Sequence, residues 1–160
     1  MIILYCVAGV LILLYCYSIF FGAPYVPTNT KFLKKIFNEV KLSKNDLVID
    51  LGSGDGRMVL LAAQKGYRAV GYEINPYLWL ISLYRLRRYP NAKVKFKSFW
   101  RADISSADLV FTFLLTKHMQ KLEEKLSNEM KPGSYFASFV FELPNTQIIY
   151  KNKNTHFYKF

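Results

Sequence analysis

Between Val48 and Arg57 the chain reads Val-Ile-Asp-Leu-Gly-Ser-Gly-Asp-Gly-Arg. The acid Asp50 closes an apolar run, and glycines at three alternate positions, Gly52, Gly54 and Gly56, lead toward a helix. Glycines spaced in this way let the backbone turn tightly and let a ligand approach without Cβ obstruction. The helix amino terminus beyond them offers unpaired N–H groups to an anionic group such as a carboxylate. Turns of this kind stand at the carboxyl ends of strands in open α/β sheets, where ligands bind. The chemistry indicated is capture of a small ligand with an anionic end. Two phosphate readings weaken on spacing: a dinucleotide fingerprint needs a glycine where Arg57 stands, and a phosphate loop of the Walker type needs a Gly-Lys-Ser/Thr ending that is missing here. A second acid, Glu73, ends the next apolar run, where a carboxylate accepts hydrogen bonds from the two hydroxyls of a ribose.

A ribose joined to a zwitterion describes S-adenosylmethionine. With these residues the chain resembles the class I methyltransferases, whose acidic Gly-x-Gly-x-Gly loop and acid after the second strand correspond to Asp50 to Gly56 and to Glu73. Pro24-Tyr25-Val26-Pro27-Thr28 and Val70-Gly71-Tyr72-Glu73-Ile74-Asn75-Pro76 narrow the likeness to one branch. It is the membrane-anchored protein-lysine methyltransferases that act on the ATP synthase c-subunit and the adenine nucleotide translocase, with their prokaryotic relatives. The resemblance implies a cofactor site of Asp50, Gly52, Ser53, Gly54, Gly56, Glu73, Ser98 and Phe99. In it Asp50 steadies the cofactor's amino group, the glycines line its methionine part and Glu73 holds the ribose. It also places Tyr25, Pro27 and Thr28 near the reacting groups. Where the family shows Asp-Leu-Trp after the third strand, this chain has Ser98-Phe99-Trp100, so that Ser98 or Asp103 is left to stand in for the missing acid near the adenine.

Methyl transfer from a sulfonium is an in-line displacement that needs alignment and a neutral acceptor amine, with no covalent nucleophile. The 27 aromatic residues supply material for an apolar pocket that favours loss of a lysine's proton, and Tyr25 and Phe113 are its lining candidates. No residue stands out as a general base. The expected activity is methylation of a lysine on a membrane protein. Methylation of a lipid or other small membrane-associated acceptor, and a non-catalytic membrane-tethered binding module, are the alternatives.

The elements that must position these groups follow from periodicity. Phe32, Leu33, Ile36, Phe37 and Val40 recur at helical spacing among lysines, which predicts an amphipathic helix. Strands are predicted at Leu47 to Leu51, Arg68 to Glu73, Val94 to Lys97, Leu109 to Phe113 and Tyr135 to Val140. A helix is expected from Arg57 to Lys65, closed by Gly66. Another runs to Arg88, with Asn75 as cap and Pro76 at its first position. The stripe Met119, Leu122, Leu126 and Met130 marks a further helix, and Gln147 to Tyr150 with His156 to Phe160 reads as a hairpin. The alternation predicts a Rossmann-like α/β fold: a mostly parallel sheet with helices on both faces and a C-terminal antiparallel hairpin. Asp108, before a strand, is expected to be structural and Asp55 to support a helix start. Tyr77, Trp79 and Tyr84 read as core or interface, and Arg85, Arg87 and Arg88 as a solvated or lipid-headgroup-facing surface.

The chain has 160 residues, which suits one domain, and residues 1–22 carry no charged side chain. That length and apolarity predict a single-pass transmembrane anchor over 1–22. A connecting segment and the amphipathic helix follow over 23–45, then the methyltransferase domain over 46–160. Lys31, Lys34, Lys35 and Lys41 follow the span and place the catalytic domain on the cytoplasmic or matrix-equivalent side. The net charge of +11 lies beyond the anchor and draws the domain to anionic lipid headgroups. No nucleic-acid partner is expected, for want of a zinc-finger spacing, an aromatic RNA-binding signature or a basic recognition helix. Cys6 and Cys16 both fall in the anchor, too far apart along a helix to bond, and His118 and His156 stand apart from any ligand cluster, each a surface or capping residue. No metal site is expected.

Overall fold

The computed structural model describes residues 30–160, together with Met1, Tyr5, Cys6 and Gly9. The anchor expected over 1–22 and the segment Tyr25 to Thr28 lie outside the described residues. Among the described residues no helix is long and apolar enough to cross a membrane.

Strands and helices alternate as β1 (Leu47–Leu51), α2 (Arg57–Gln64), β2 (Arg68–Glu73), α3 (Pro76–Leu86), β3 (Ala92–Phe96), β4 (Leu109–Thr112), α4 (Met119–Glu129), β5 (Tyr135–Phe139), β6 (Tyr150–Asn152) and β7 (Thr155–Lys159). The amphipathic helix α1 (Thr30–Glu39) precedes them. The strands form one sheet in the order β3-β2-β1-β4-β5-β7-β6. It is parallel through β5 and antiparallel where β7 meets β5 and β6, so the Rossmann-like sheet with its terminal hairpin forms as expected. The strand order reverses beside β1, between β2 and β4, and a crevice opens outside the carboxyl ends of the strands at such a reversal.

Successive residues of a strand point to opposite faces, so each central strand feeds two cores. Val48 of β1, Leu109 and Phe111 of β4 and Phe157 of β7 face α1, α2 and α3, where they meet Leu33, Ile36, Phe37, Met58 and Leu86. Ile49, Leu51, Val110, Phe136 and Tyr158 face α4 and meet Met119, Leu122 and Leu126. The near-continuous apolar runs of β1 and β4 are those of strands covered on both sides.

Three boundaries shift for identifiable reasons. β3 starts at Ala92 because the Asn91 side chain donates to the carbonyls of Ala63 and Tyr67, at 3.0 and 2.7 Å, and fixes the chain as it enters the sheet. α3 ends at Leu86, where Tyr89 N–H turns back to the Leu86 carbonyl ahead of Pro90. The first arm of the hairpin forms at Tyr150–Asn152 rather than before it, because Glu123 of α4 takes hold of Asn145 and Thr146. Its carboxylate accepts from Asn145 N–H and Nδ2 and from Thr146 N–H and Oγ1, at 2.6 to 2.9 Å.

Two further residues depart from expectation. His156 is buried in β7, with the Glu142 carboxylate 3.0 Å from Nε2, rather than lying at the surface. Arg85 is not merely solvated: it forms an ion pair with Asp55 at 2.6 Å. Asp108 is structural as expected, accepting Leu47 N–H at 2.7 Å and pairing with Lys131.

Burial raises the Glu123 carboxyl, but the hydrogen bonds from Thr146 and Asn145 outweigh it and hold the group below the ordinary carboxylate range. The stability this contributes is present above that range and is lost as pH falls through the folded-state value. Glu123→Ala should cost on the order of 2–3 kcal/mol in denaturant unfolding at neutral pH, and Glu123→Gln should flatten the acid limb of stability against pH. An unchanged acid limb in Glu123→Gln would refute this role.

Candidate active site

The turn after β1 explains why three glycines are needed. Gly52, Gly54 and Gly56 have φ of 86°, 54° and 76°, the left-handed region that a Cβ disfavours. Gly52 and Ser53 N–H both donate to the Tyr72 carbonyl at 3.0 Å, which folds the turn onto β2. Gly54 N–H donates to Glu73 Oε2 at 2.7 Å, and Gly56 N–H closes the turn on the Ser53 carbonyl at 2.9 Å. A Cβ on Gly52 would meet nothing within 4 Å, so the first glycine borders open space. A Cβ on Gly56 would lie 2.8 Å from Ser82 Oγ, so the third glycine instead admits α3. Ser82 is fully buried and donates to the Gly54 carbonyl at 2.8 Å, which binds the turn to α3.

Glu73 is 8% exposed and joins three segments. Its Oε2 takes Gly54 N–H, and its Oε1 takes Ile74 and Asn75 N–H at 2.9 and 2.7 Å. Asn75 then caps α3, its Oδ1 accepting Tyr77 and Leu78 N–H at 3.0 and 3.3 Å. The Glu73 carbonyl receives Lys97 N–H at 3.1 Å, so Ser98 and Phe99 follow directly beside the end of β2. Phe99 stacks tilted on Trp100 at 4.6 Å. Asp103 is occupied in its own turn by Ser105 N–H and Oγ, at 3.0 and 2.7 Å, bonds that lower its carboxyl. Of the two residues weighed for the missing acid, Ser98 is the one the sheet brings next to Glu73.

Asp50 is 4% exposed and stands in the sheet between Gly71 of β2 and Phe111 of β4. Burial, then the neighbouring charges of Glu73 and Asp55, raise its carboxyl well above the ordinary range. Asp55 is satisfied by Arg57 and Arg85 at 2.8 and 2.6 Å, whereas among the described residues neither Asp50 nor Glu73 forms an ion pair. The site therefore brings together two carboxyl groups with no cationic side chain paired to them among the described residues. A ligand bringing a cation there would relieve the repulsion and favour the ionised carboxylate.

Across the sheet reversal, Thr112 of β4 pairs with Ser138 of β5, and the next side chains, Phe113 and Phe139, meet edge to face at 5.0 Å. They form an aromatic corner at the carboxyl ends of these strands. Tyr25, Pro27 and Thr28 lie outside the described residues, and of the four substrate-side candidates Phe113 is the one whose place is described, at the end of β4 against Phe139. Ser53 lies on the sheet face that carries Asp50, since Asp50 and Gly71 are register partners. Its hydroxyl is buried and packs beneath the turn against Gly71, where a Cβ would come within 2.5 Å of Ser53 Oγ and 2.9 Å of Val59.

Three residues of this arrangement have no role assigned to them from sequence: Ser82, Gly71 and Phe139. Each leaves a trace there. Ser82 is the one polar residue between Leu78 and Leu83, and Gly71 interrupts a strand, which marks close approach of another part of the chain. Phe139 occupies in β5 the place that Phe113 occupies after β4. Gly71→Ala should lower stability by about 1–3 kcal/mol through overpacking, and Ser53→Gly in that background should restore part of the loss in a double-mutant unfolding cycle. Strict additivity of the two substitutions would show that they do not meet.

The family described as ANTKMT methyltransferase domain matches residues 50–149, and Histone methylation protein DOT1 matches residues 6–78. The chain is 33% identical over 150 residues to the ATP synthase C-subunit lysine N-methyltransferase of Xenopus laevis, covering 87% of this chain and 66% of that one. Its human counterpart is 36% identical over 125 residues, covering 76% and 53%. The Protein-lysine N-methyltransferase of Saccharolobus islandicus (strain REY15A) is 38% identical over 125 residues, covering 75% and 78%. The chain thus spans about two thirds of the frog relative and about half of the human one. Among solved structures, an RNA methyltransferase from Salinibacter ruber in complex with S-adenosyl-L-homocysteine superposes with a TM-score of 0.75 at 29% identity, over 83% of this chain and 91% of that one. With the family match running from Asp50 through the turn, the second acid and the aromatic corner, the chain belongs to the ANTKMT methyltransferase domain family.

Proposed function

We propose that this protein is an S-adenosylmethionine-dependent methyltransferase acting on a lysine side chain of a membrane protein. One observation carries the reading: two buried acids that form no ion pair among the described residues, Asp50 and Glu73, flank a glycine turn that borders open space over Gly52. The residues fit the cofactor. Asp50 would take its ammonium group, Gly52 and Gly54 would lie along its methionine part, and Glu73 would accept a ribose hydroxyl at the one lone-pair position, on Oε2, that its three backbone donors leave. Ser98 and Phe99 would border the adenine. When bound, S-adenosylmethionine supplies a methyl group made electrophilic by its sulfonium.

The rest of the chemistry belongs to the chain. Phe113 and Phe139 present apolar ring surface next to the crevice, which disfavours a charged ammonium and favours the neutral amine. A lysine amine has a reference pKa of about 10.4, so its proton must pass to water before or as it enters. The turn, pinned by Glu73 and Ser82, is already ordered, so alignment of donor and acceptor needs little further fixing. The relatives named for the ATP synthase C-subunit and for the adenine nucleotide translocase favour a membrane-protein acceptor. The uncharged stretch 1–22 favours a single-pass anchor, with the four lysines after it holding the domain on the cytoplasmic or matrix-equivalent side.

Titration calorimetry on the full chain should show binding of S-adenosylmethionine, weakened roughly 10- to 100-fold in Asp50→Asn and in Glu73→Ala, since each removes a charge-assisted contact. Undiminished binding in both variants would overturn the assignment. Because a proton on Asp50 competes with the ligand's ammonium, affinity should fall as pH drops through the raised Asp50 value, and Asp50→Asn should lose that dependence.

Tritiated methyl transfer in membrane fractions should place the label on protein lysines. Label that follows solvent-extractable lipid, or RNA, would overturn the acceptor class while leaving the cofactor assignment standing.

A further inference from the structure

The outer side of α3 takes no part in the crevice, and its composition is unlike that of an ordinary solvated helix. Tyr77, Leu80, Leu83 and Tyr84 are all exposed there, Tyr84 at 69%, and Phe96 of the edge strand β3 stands exposed next to the helix with its ring 5.4 Å from Trp79. From Ile74 to Ala102 the chain contains Arg85, Arg87, Arg88, Lys93, Lys95, Lys97 and Arg101 and not one acid. Arg85 is neutralised by Asp55, but among the described residues Arg87, Arg88, Lys93 and Lys97 form no ion pair. Arg87 lies over the Tyr84 ring at 3.7 Å and donates to the Tyr84 carbonyl, which holds its charge at the rim of the apolar face.

We propose that the outer face of α3, with Phe96 beside it, docks on an anionic phospholipid surface and so sets the orientation of the active-site crevice toward the bilayer. Aliphatic side chains, tyrosines and arginines on one face are the combination that an interfacial helix inserts at the boundary of headgroup and acyl chain. Charge complementarity selects the occupant. A second copy of this chain would bring like-charged rims together, which is repulsive, whereas an anionic headgroup layer neutralises them. RNA would use the cations and the tyrosines but would gain nothing from Leu80 and Leu83.

The docking face is also coupled to the site. α3 begins at Pro76, directly after Asn75, whose N–H is held by Glu73, so the helix and the proposed ribose acid form one rigid piece. A docked α3 places its first turn, and with it the carboxyl ends of the strands, near the membrane surface where a membrane-protein acceptor emerges. The inference rests on the membrane setting proposed above for the acceptor, and its test does not use methyl transfer.

The full chain carrying Tyr84→Trp with Trp79→Phe and Trp100→Phe is placed in vesicles of brominated phosphatidylcholine, alone or mixed with phosphatidylglycerol in equal parts. The reporter's emission should be quenched in the anionic vesicles and far less in the neutral ones. Arg87→Gln with Arg88→Gln should lower the ratio of docked to undocked chain by roughly 25-fold, about fivefold for each charge. Lys117→Gln with Lys121→Gln, an equal charge loss at exposed positions by α4 across the sheet, should leave it within about twofold. If the triple reporter fails to fold, the native Trp79 emission in Trp100→Phe gives the same reading. Equal quenching in both vesicle types, or none in either, overturns the proposal. So does a blue shift produced by RNA instead of lipid. Any of these leaves calorimetric binding of S-adenosylmethionine unaffected, so the two readings fail separately.

Discussion

The Glu73 carboxylate is the joint on which this structure turns. Three backbone N–H groups from two stretches of chain converge on it, Gly54 from the turn after β1 and Ile74 and Asn75 from the start toward α3. Hydrogen bonds to an ionised acceptor are roughly twice as strong as neutral ones, and here they satisfy donors that would otherwise be stranded at a strand end and a helix start. The same residue's carbonyl takes Lys97 N–H, so β3 is registered from it as well. An acid placed to meet a ligand is thus also what holds the ligand's cradle in shape.

That cradle is tight beneath and open above. Below it, Gly56 and Gly71 permit contacts with Ser82 and with Ser53 and Val59 that no Cβ would allow, and Ser82 closes the far side through the Gly54 carbonyl. Above Gly52 nothing lies within 4 Å of the position a Cβ would take. Glycine is used in two senses within a few residues, for close packing and for access. The electrostatics follow the same division. Asp55, buried within the turn, is neutralised by Arg57 and Arg85, while among the described residues Asp50 and Glu73 have no ion-pair partner, and the charge of Glu73 helps to raise the Asp50 carboxyl. Burial between the two cores sharpens this penalty, and it is relieved by the kind of ligand the site takes.

The other side of the sheet does a quieter job. Glu123 draws Asn145 and Thr146 onto α4, Tyr158 Oη accepts Leu143 N–H at 2.9 Å, and together they fix the chain that leaves β5 just past Phe139. The aromatic corner of Phe113 and Phe139 is therefore framed by a loop whose backbone donors are satisfied far from the crevice. Packing on the α4 face and chemistry at the strand ends are linked through this one stretch of chain.

Local chemistry was readable from the sequence itself wherever cause and effect lie within a few residues. The three left-handed glycines, the acids closing β1 and β2, the Asn75-Pro76 helix start and the alternation of strand and helix are all written in contiguous stretches, because turn geometry, capping and burial periodicity act over one or two turns of chain. What the sequence left open was decided by contacts between residues remote along the chain. Arg85 reads as a surface arginine until α3 folds back over the turn and meets Asp55; His156 reads as exposed until β7 is inserted beside β5; Ser98 and Asp103 are equal candidates until β3 aligns with the end of β2. No periodicity encodes such meetings, since they depend on which strand pairs with which and in what register. The sequence specified the parts of the site, and the topology of the sheet determined which of them face one another.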